Sequence, residues 1–344
     1  MLVKARDGLG NRLLCALTGL LYARLTHRQL VIDWSDPVYS SDGRNAFNLY
    51  FRCDLCPPGI VIPADASTRP AIWRGNLHEA AIDFHARVNP ATLLNPTGLR
   101  AISVDLSRID YEEDVLILIS YFDEIDRLRR HFKKHAPELH GLSTRTILTK
   151  LLNDHLSLQP SVLQRVEGVR AAWPARPMIG VHIRYSDKKF RVPAIRARLD
   201  ALLARHPDCG LFLATDNRAL QEEFAHSYPT LVTAAKWFPV AGRSMHWSAE
   251  CADRLENGIE ALIDLYLLAG CDYLVVDESS SFSYIASVLS KAPDAHIINV
   301  QVAAWLPPRL RRLLWLTWLR VPRFIRRWIE TRLGLTVSYD RSRS

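Results

Sequence analysis

The sequence has no long apolar run. No stretch reaches the ~18 uncharged apolar residues that a helical bilayer span needs, so none is predicted. Met1 leads straight into Leu2-Val3-Lys4, without an apolar segment of signal-peptide length, and the expectation is a cytoplasmic protein. Cysteine is sparse, with Cys15, Cys53, Cys56, Cys209, Cys251 and Cys271 scattered along the chain. Cys53 and Cys56 form a lone C-x-x-C with no second ligand pair at a suitable spacing, so no metal site is predicted and the thiols suit a reducing compartment. Internal repeats and low-complexity tracts are absent as well. The body also lacks net charge. Residues 301–344 hold ten Arg against Glu330 and Asp340, which accounts for the whole formal charge of +8. The body is therefore no general polyanion binder, and a nucleic-acid partner is not expected.

What remains is ordinary globular material. The 344 residues are 48% hydrophobic and 23% charged, long enough for two domains. Leu2–Ala5 reads as a strand, Arg6–Asn11 as a turn, Leu13–Leu25 as an almost wholly apolar helix and Leu30–Ile32 as a second strand, ending in Asp33-Trp34. That order predicts a parallel α/β unit. Residues 37–110 carry six Pro between Pro57 and Pro96 and predict irregular chain. Val115–Ser120 reads as a buried strand, with helices near 124–134 and 143–155 and a joint at Pro160. Beyond it, strands at Met178–Ile183, Leu211–Ala214, Tyr273–Val276 and His296–Val300 alternate with helices, predicting a second parallel α/β domain. The division expected is 1–160, 161–302 and a tail at 303–344. Two such domains suggest a cleft with ligands at the carboxyl ends of the strands.

Four segments carry candidate chemistry. The turn with Gly8 and Gly10 lies between a strand and a helix, where it serves equally as an anion site or as a tight turn. Leu13 stands where a dinucleotide fingerprint wants a small residue, which argues against a nicotinamide enzyme. Strand 178–183 discharges into Arg184, Tyr185, Ser186, Asp187 and Lys188. A guanidinium at such a strand end suits two phosphate oxygens, while His182, taken alone, reads as a core histidine. Leu213-Ala214 ends in Thr215-Asp216-Asn217, and Val275-Val276 ends in Asp277 to Ser281 just before a helix. Serine there suits phosphate or a plain helix cap. Three polar strand ends together point to a nucleoside-diphosphate site in the second domain.

In this order the motifs GLGNR (Gly8–Arg12), LVIDW (Leu30–Trp34), GVHIRYSDK (Gly180–Lys188), LATDN (Leu213–Asn217) and ALIDLYLLAGCDYLVVDESSSFS (Ala261–Ser283) resemble the GDP-fucose-dependent fucosyltransferases. The resemblance is greatest to the rhizobial nodulation (NodZ) family. Related motifs occur in α1,6- and protein O-fucosyltransferases. It spans roughly residues 1–300 and is dense in 178–290. It implies a GT-B fold, in which two Rossmann-like domains face each other, and an inverting transfer from GDP-fucose that needs no metal or other cofactor. It implies that Arg184 holds the β-phosphate and supports departure of GDP. It further implies that Lys188, Ser280 and Ser281 contact phosphate, that His182 lies beside the nucleoside and Asp264 recognises guanine, and that Asp216 belongs to the middle motif. Asn11, with the Gly8–Gly10 turn, would approach the pyrophosphate from the first domain. Two departures stand out. Tyr185 replaces a basic residue of the α1,6 motif, and Lys189 to Val192 stand where some relatives carry a glutamate. The general base is thus unassigned, with Asp33, Asp36 and Asp187 as candidates.

The tail, 303–334, holds eight Arg and four of the nine Trp, interleaved with Leu and Ile and divided by Pro307, Pro308 and Pro322. This composition fits amphipathic helices on an anionic lipid surface. Packing back on the first domain is the alternative. The expectation is an enzyme peripheral to the inner face of a bacterial membrane, fucosylating a lipid-linked or surface glycan. Its rivals are transfer of another GDP-deoxyhexose and a nucleotide-binding membrane-associated protein that has lost catalysis.

Overall fold

The computed structural model describes residues 1–300 apart from positions 5, 58, 93–95, 187–189, 241–244, 246–247 and 249. The Arg/Trp-rich tail, expected to be helical, lies outside the described residues. The chain divides into two units: Met1–Ala171 with Cys251–Ile263, and Ala172–Glu250 with the chain from Asp264 onward.

The first unit runs β1 (Leu2–Lys4), α1 (Leu9–Thr26), β2 (Val31–Asp33), α2 (Ala46–Tyr50), β3 (Phe51–Cys53), β4 (Thr68–Arg69), α3 (Ala81–Val88), β5 (Val115–Leu118), α4 (Ile125–His135), α5 (Thr144–His155), β6 (Leu156–Leu158) and α6 (Pro160–Ala171). Four strands make a parallel sheet in the order β2-β1-β5-β4. Helix α1 buries 15 of its 18 residues, which is why its sequence is apolar nearly all round. It ends where His27 turns left-handed at φ 54°. Residues 37–110, expected to be irregular, hold short helices and also the short strands β3 and β4, the latter at the edge of the parallel sheet.

Pro160 opens α6, and α6 belongs with the first unit. The preceding strand β6 pairs antiparallel with β3, Phe51 opposite Leu158. The Gln159 N–H donates to the Tyr50 carbonyl at 2.9 Å. Arg165 on α6 pairs with both carboxylate oxygens of Glu256, at 2.8 and 2.5 Å. These links hold α6 to 46–53 and 251–263, so the unit closes at Ala171 and takes in a later segment that a linear division at Pro160 leaves out.

The second unit runs β7 (Met178–Ile183), α7 (Val192–Arg205), β8 (Gly210–Thr215), α8 (Arg218–Ser227), β9 (Leu231–Val232), α9 (Arg254–Ala269, whose first part groups with the first unit), β10 (Tyr273–Val276), α10 (Ser281–Leu289) and β11 (Ile297–Asn299). All five strands are parallel, in the order β11-β10-β7-β8-β9. β7 and β8 are buried along their whole length, which explains their unbroken apolar runs. Ile179, Val181 and Ile183 pack with Ile195, Leu199 and Leu202 of α7 and Leu211 and Leu213 of β8. Gly180 sits where α9 presses on β7. A Cβ there would lie 2.9 Å from both Cys271 Sγ and Leu268 Cδ1, so the position has no room for a side chain.

Candidate functional site

The chain runs from β7 outward to β8 and β9, then returns to the other side of β7 to form β10. The strand order therefore reverses between β7 and β10, and the carboxyl ends at such a switch point form the crevice where open α/β sheets bind ligands. His182, Arg184, Ser280 and Ser281 all stand at that end of these two neighbouring strands. His182 Nδ1 and Ser283 Oγ lie 2.6 Å apart, so the last residues of β7 are tied to the first turn of α10. The His182 ring also lies against Phe282, centroids 4.8 Å apart.

Arg184 is half-buried directly after β7, and the loop that presents it is fixed from β8. The Tyr185 and Ser186 N–H groups donate to Asp216 Oδ1 at 2.6 and 3.1 Å, and the Ser186 hydroxyl donates to Oδ2 at 2.5 Å. Asp216 thus turns its carboxylate inward, onto the loop behind Arg184. Asn217 caps α8 by accepting from the Leu220 N–H at 2.9 Å. On the other side, Glu278 accepts from Ser287 Oγ at 2.7 Å and Asn299 Nδ2 at 2.9 Å, binding the ends of β10 and β11 to α10.

Ser280 is the N-cap of α10, yet its side chain makes no capping bond. The residue is 1% exposed and its Oγ has no hydrogen-bond partner. An uncommitted hydroxyl at a helix N-terminus, with Ser281 half-buried beside it, can serve an anion. Asp264, on α9, is buried and accepts from Lys236 Nζ through Oδ2. Burial pushes its carboxyl up, and the Lys236 ammonium opposes that rise. No sequence pattern marks Lys236, since it stands in irregular chain after β9.

In the first unit, Gly8 is the extended N-cap of α1, and Gly10 and Asn11 lie in its first turn. The left-handed position of this turn belongs to Asp7, at φ 61°, and not to either glycine. The Leu9 N–H donates to Tyr39 Oη at 3.0 Å. Arg12 is wholly buried and grips Asp36 with both Nη atoms, at 2.7 and 2.8 Å, while its Nε donates to the Asp7 carbonyl at 2.6 Å. Asp33 accepts from Lys4 Nζ at 2.6 Å and from Ser35, interactions that hold its carboxyl below the usual range against the effect of burial. Both candidate bases of this unit are thus committed to cations. Asp187 and Lys188 lie outside the described residues. Cys53 and Cys56 bring their Sγ atoms to 2.8 Å, and among the described residues no group of three or more His, Cys, Asp or Glu is arranged to hold a metal ion.

Burial, with the nearby charges of Arg184 and Lys236, pushes His182 from 6.5 down to about 3. Its ring is therefore neutral at pH 7. Between these values the unfolded chain binds the proton and the folded chain does not, so stability falls as pH drops below 6.5 and is unaffected by this group above it. Urea unfolding at pH 7 and pH 5 should show a smaller acid loss in His182→Gln than in wild type. Equal losses would contradict this account of His182.

No family model matches the chain. Nodulation protein Z of Azorhizobium caulinodans is 26% identical over 313 residues, covering 83% of this chain and 88% of that protein. A structure of NodZ alpha-1,6-fucosyltransferase soaked with GDP-fucose matches at a TM-score of 0.58 and 20% identity, covering 84% of this chain and 92% of that one. Fucosyltransferase NodZ from Bradyrhizobium matches at a TM-score of 0.56 and 20% identity, covering 86% of this chain and 96% of that one. The resemblance expected from the scattered motifs is borne out: this chain is NodZ-like in sequence and has the α/β GT-B fold of the NodZ fucosyltransferases.

Proposed function

We propose that this protein transfers L-fucose from GDP-fucose to a hydroxyl of a glycan acceptor, inverting the sugar carbon and using no metal ion. The observation that carries the reading is the grouping of His182, Arg184, Ser280 and Ser281 at the switch point between β7 and β10. The NodZ likeness supplies the sugar nucleotide, because one neighbouring structure was soaked with GDP-fucose. Arg184 is the catalytic residue in this reading, and Ser280, Ser281 and Lys188 are the phosphate contacts. His182 and Asp264 face the nucleoside, and Asp216 keeps the Arg184 loop in place.

The chemistry follows from charge. The bond between the sugar carbon and the β-phosphate oxygen breaks toward an oxocarbenium-like state as the acceptor oxygen attacks. Negative charge grows on the departing diphosphate. A guanidinium and a helix N-terminus aimed there stabilise the transition state more than the ground state. The tail, rich in Arg and Trp, supports a peripheral site on the inner face of a bacterial membrane and a lipid-linked or surface glycan as acceptor.

GDP release from GDP-fucose with a suitable glycan acceptor should fall by about two to three decades in Arg184→Ala, equivalent to about 3–4 kcal/mol of transition-state stabilisation. An unchanged rate would refute the role of Arg184. Binding of GDP-fucose without turnover in wild type would instead identify a nucleotide-binding protein that has lost catalysis. Full-length protein should sediment with anionic vesicles at low salt and be released at high salt. Failure to sediment at low salt would remove the membrane reading.

A further inference from the structure

Lys236 and Asp264 form a buried ion pair within the second unit, their side chains 2% and 8% exposed. Lys236 Nζ satisfies Oδ2 of the carboxylate. The other oxygen, Oδ1, is buried and has no hydrogen-bond partner. A buried charge with one satisfied oxygen is an unusual state, since buried carboxylates ordinarily find donors for both. Asp264 stands one turn before Leu268 on α9, the side chain that closes on Gly180 of β7, so the pair lies on the helix packed against the strand that carries His182.

The unsatisfied oxygen defines what it can accept. It needs an N–H group, and its negative charge repels lone pairs. Guanine offers N1–H and its 2-amino group side by side. Adenine and cytosine present an unprotonated ring nitrogen on the same edge. Uracil offers a single N–H between two carbonyl oxygens. Of the four bases, guanine has the edge that suits an ionised carboxylate. Lys236 makes that recognition work in two ways. Its ammonium favours the ionised carboxylate, opposing the burial that pushes the group up. By occupying Oδ2 it also leaves Oδ1 as the acceptor edge and fixes the direction of the group.

We propose that Lys236 is a positioning residue that sets the base selectivity of the nucleotide site through Asp264. This inference rests on the reading of the crevice as a GDP site. It assigns to Lys236 no contact with substrate or with the reacting atoms.

The experiment compares GDP with inosine diphosphate, which lacks only the 2-amino group, by calorimetric titration of the full chain. Wild type should prefer GDP by about tenfold or more, as expected for loss of a hydrogen bond to a charged buried group. Lys236→Met should bring the ratio close to one, and Lys236→Arg should restore most of the preference. Lys236→Met strands a buried charge, so the paired variant Lys236→Met/Asp264→Leu gives a second test, in which two apolar groups replace the ion pair. That variant should bind both nucleotides alike. A wild-type ratio retained in Lys236→Met or in the paired variant would show that the pair only supports the fold, and would overturn the inference. Equal binding of the two nucleotides by wild type would overturn it alone. Failure of wild type to bind GDP at all would overturn it together with the proposed function.

Discussion

The Asp216 carboxylate holds the loop that follows β7, and the arrangement of the second unit depends on this contact. Three donors from Tyr185 and Ser186 converge on its two oxygens. Without them, the Tyr185 and Ser186 N–H groups would lose this acceptor just beyond a wholly buried strand, and a buried donor without a partner is costly. With them, Arg184 leaves the sheet at a fixed point. The His182–Ser283 contact does the same from the other side, joining β7 to the helix whose N-terminus carries Ser280. Polar groups at this end of the sheet therefore satisfy one another behind the crevice, leaving the Ser280 hydroxyl and one oxygen of Asp264 without partners.

The first unit uses charge differently. Lys4 with Asp33 and Arg12 with Asp36 are closed pairs at the carboxyl ends of β1 and β2 and the start of α1. Arg12 also lies over the Tyr39 ring, 4.9 Å from its centroid. Breaking such a buried pair by removing one partner would leave a lone buried charge, so these groups are bound to structural work. Arg12 of the GLGNR motif and Asp33 of the LVIDW motif thus meet Asp36 and Lys4 in the folded unit.

Much of this was legible from periodicity. The strands at Met178–Ile183 and Tyr273–Val276 stand where the apolar runs placed them, and most helices agree within a few residues, because fully buried parallel strands need unbroken apolar sequence. Arg184, Ser280 and Ser281 were visible as polar residues at the ends of such runs. Other features carry no local signal. The pairing of β3 with β6 joins segments about a hundred residues apart, each only three residues long. The left-handed residue of the first turn is Asp7, a position that nothing in the local sequence marks. Lys236 stands in irregular chain, and only the fold brings it to Asp264.

The central claim is that the crevice between β7 and β10 holds a guanosine diphosphate sugar. It is tested most directly by thermal unfolding of the full chain with GDP, GDP-fucose, UDP, CMP and NAD in turn. A ligand at 100 times its dissociation constant adds about 2.7 kcal/mol to stability. GDP and GDP-fucose alone should stabilise the chain. Stabilisation by UDP, CMP or NAD in their place, or by none of the five, would contradict the claim.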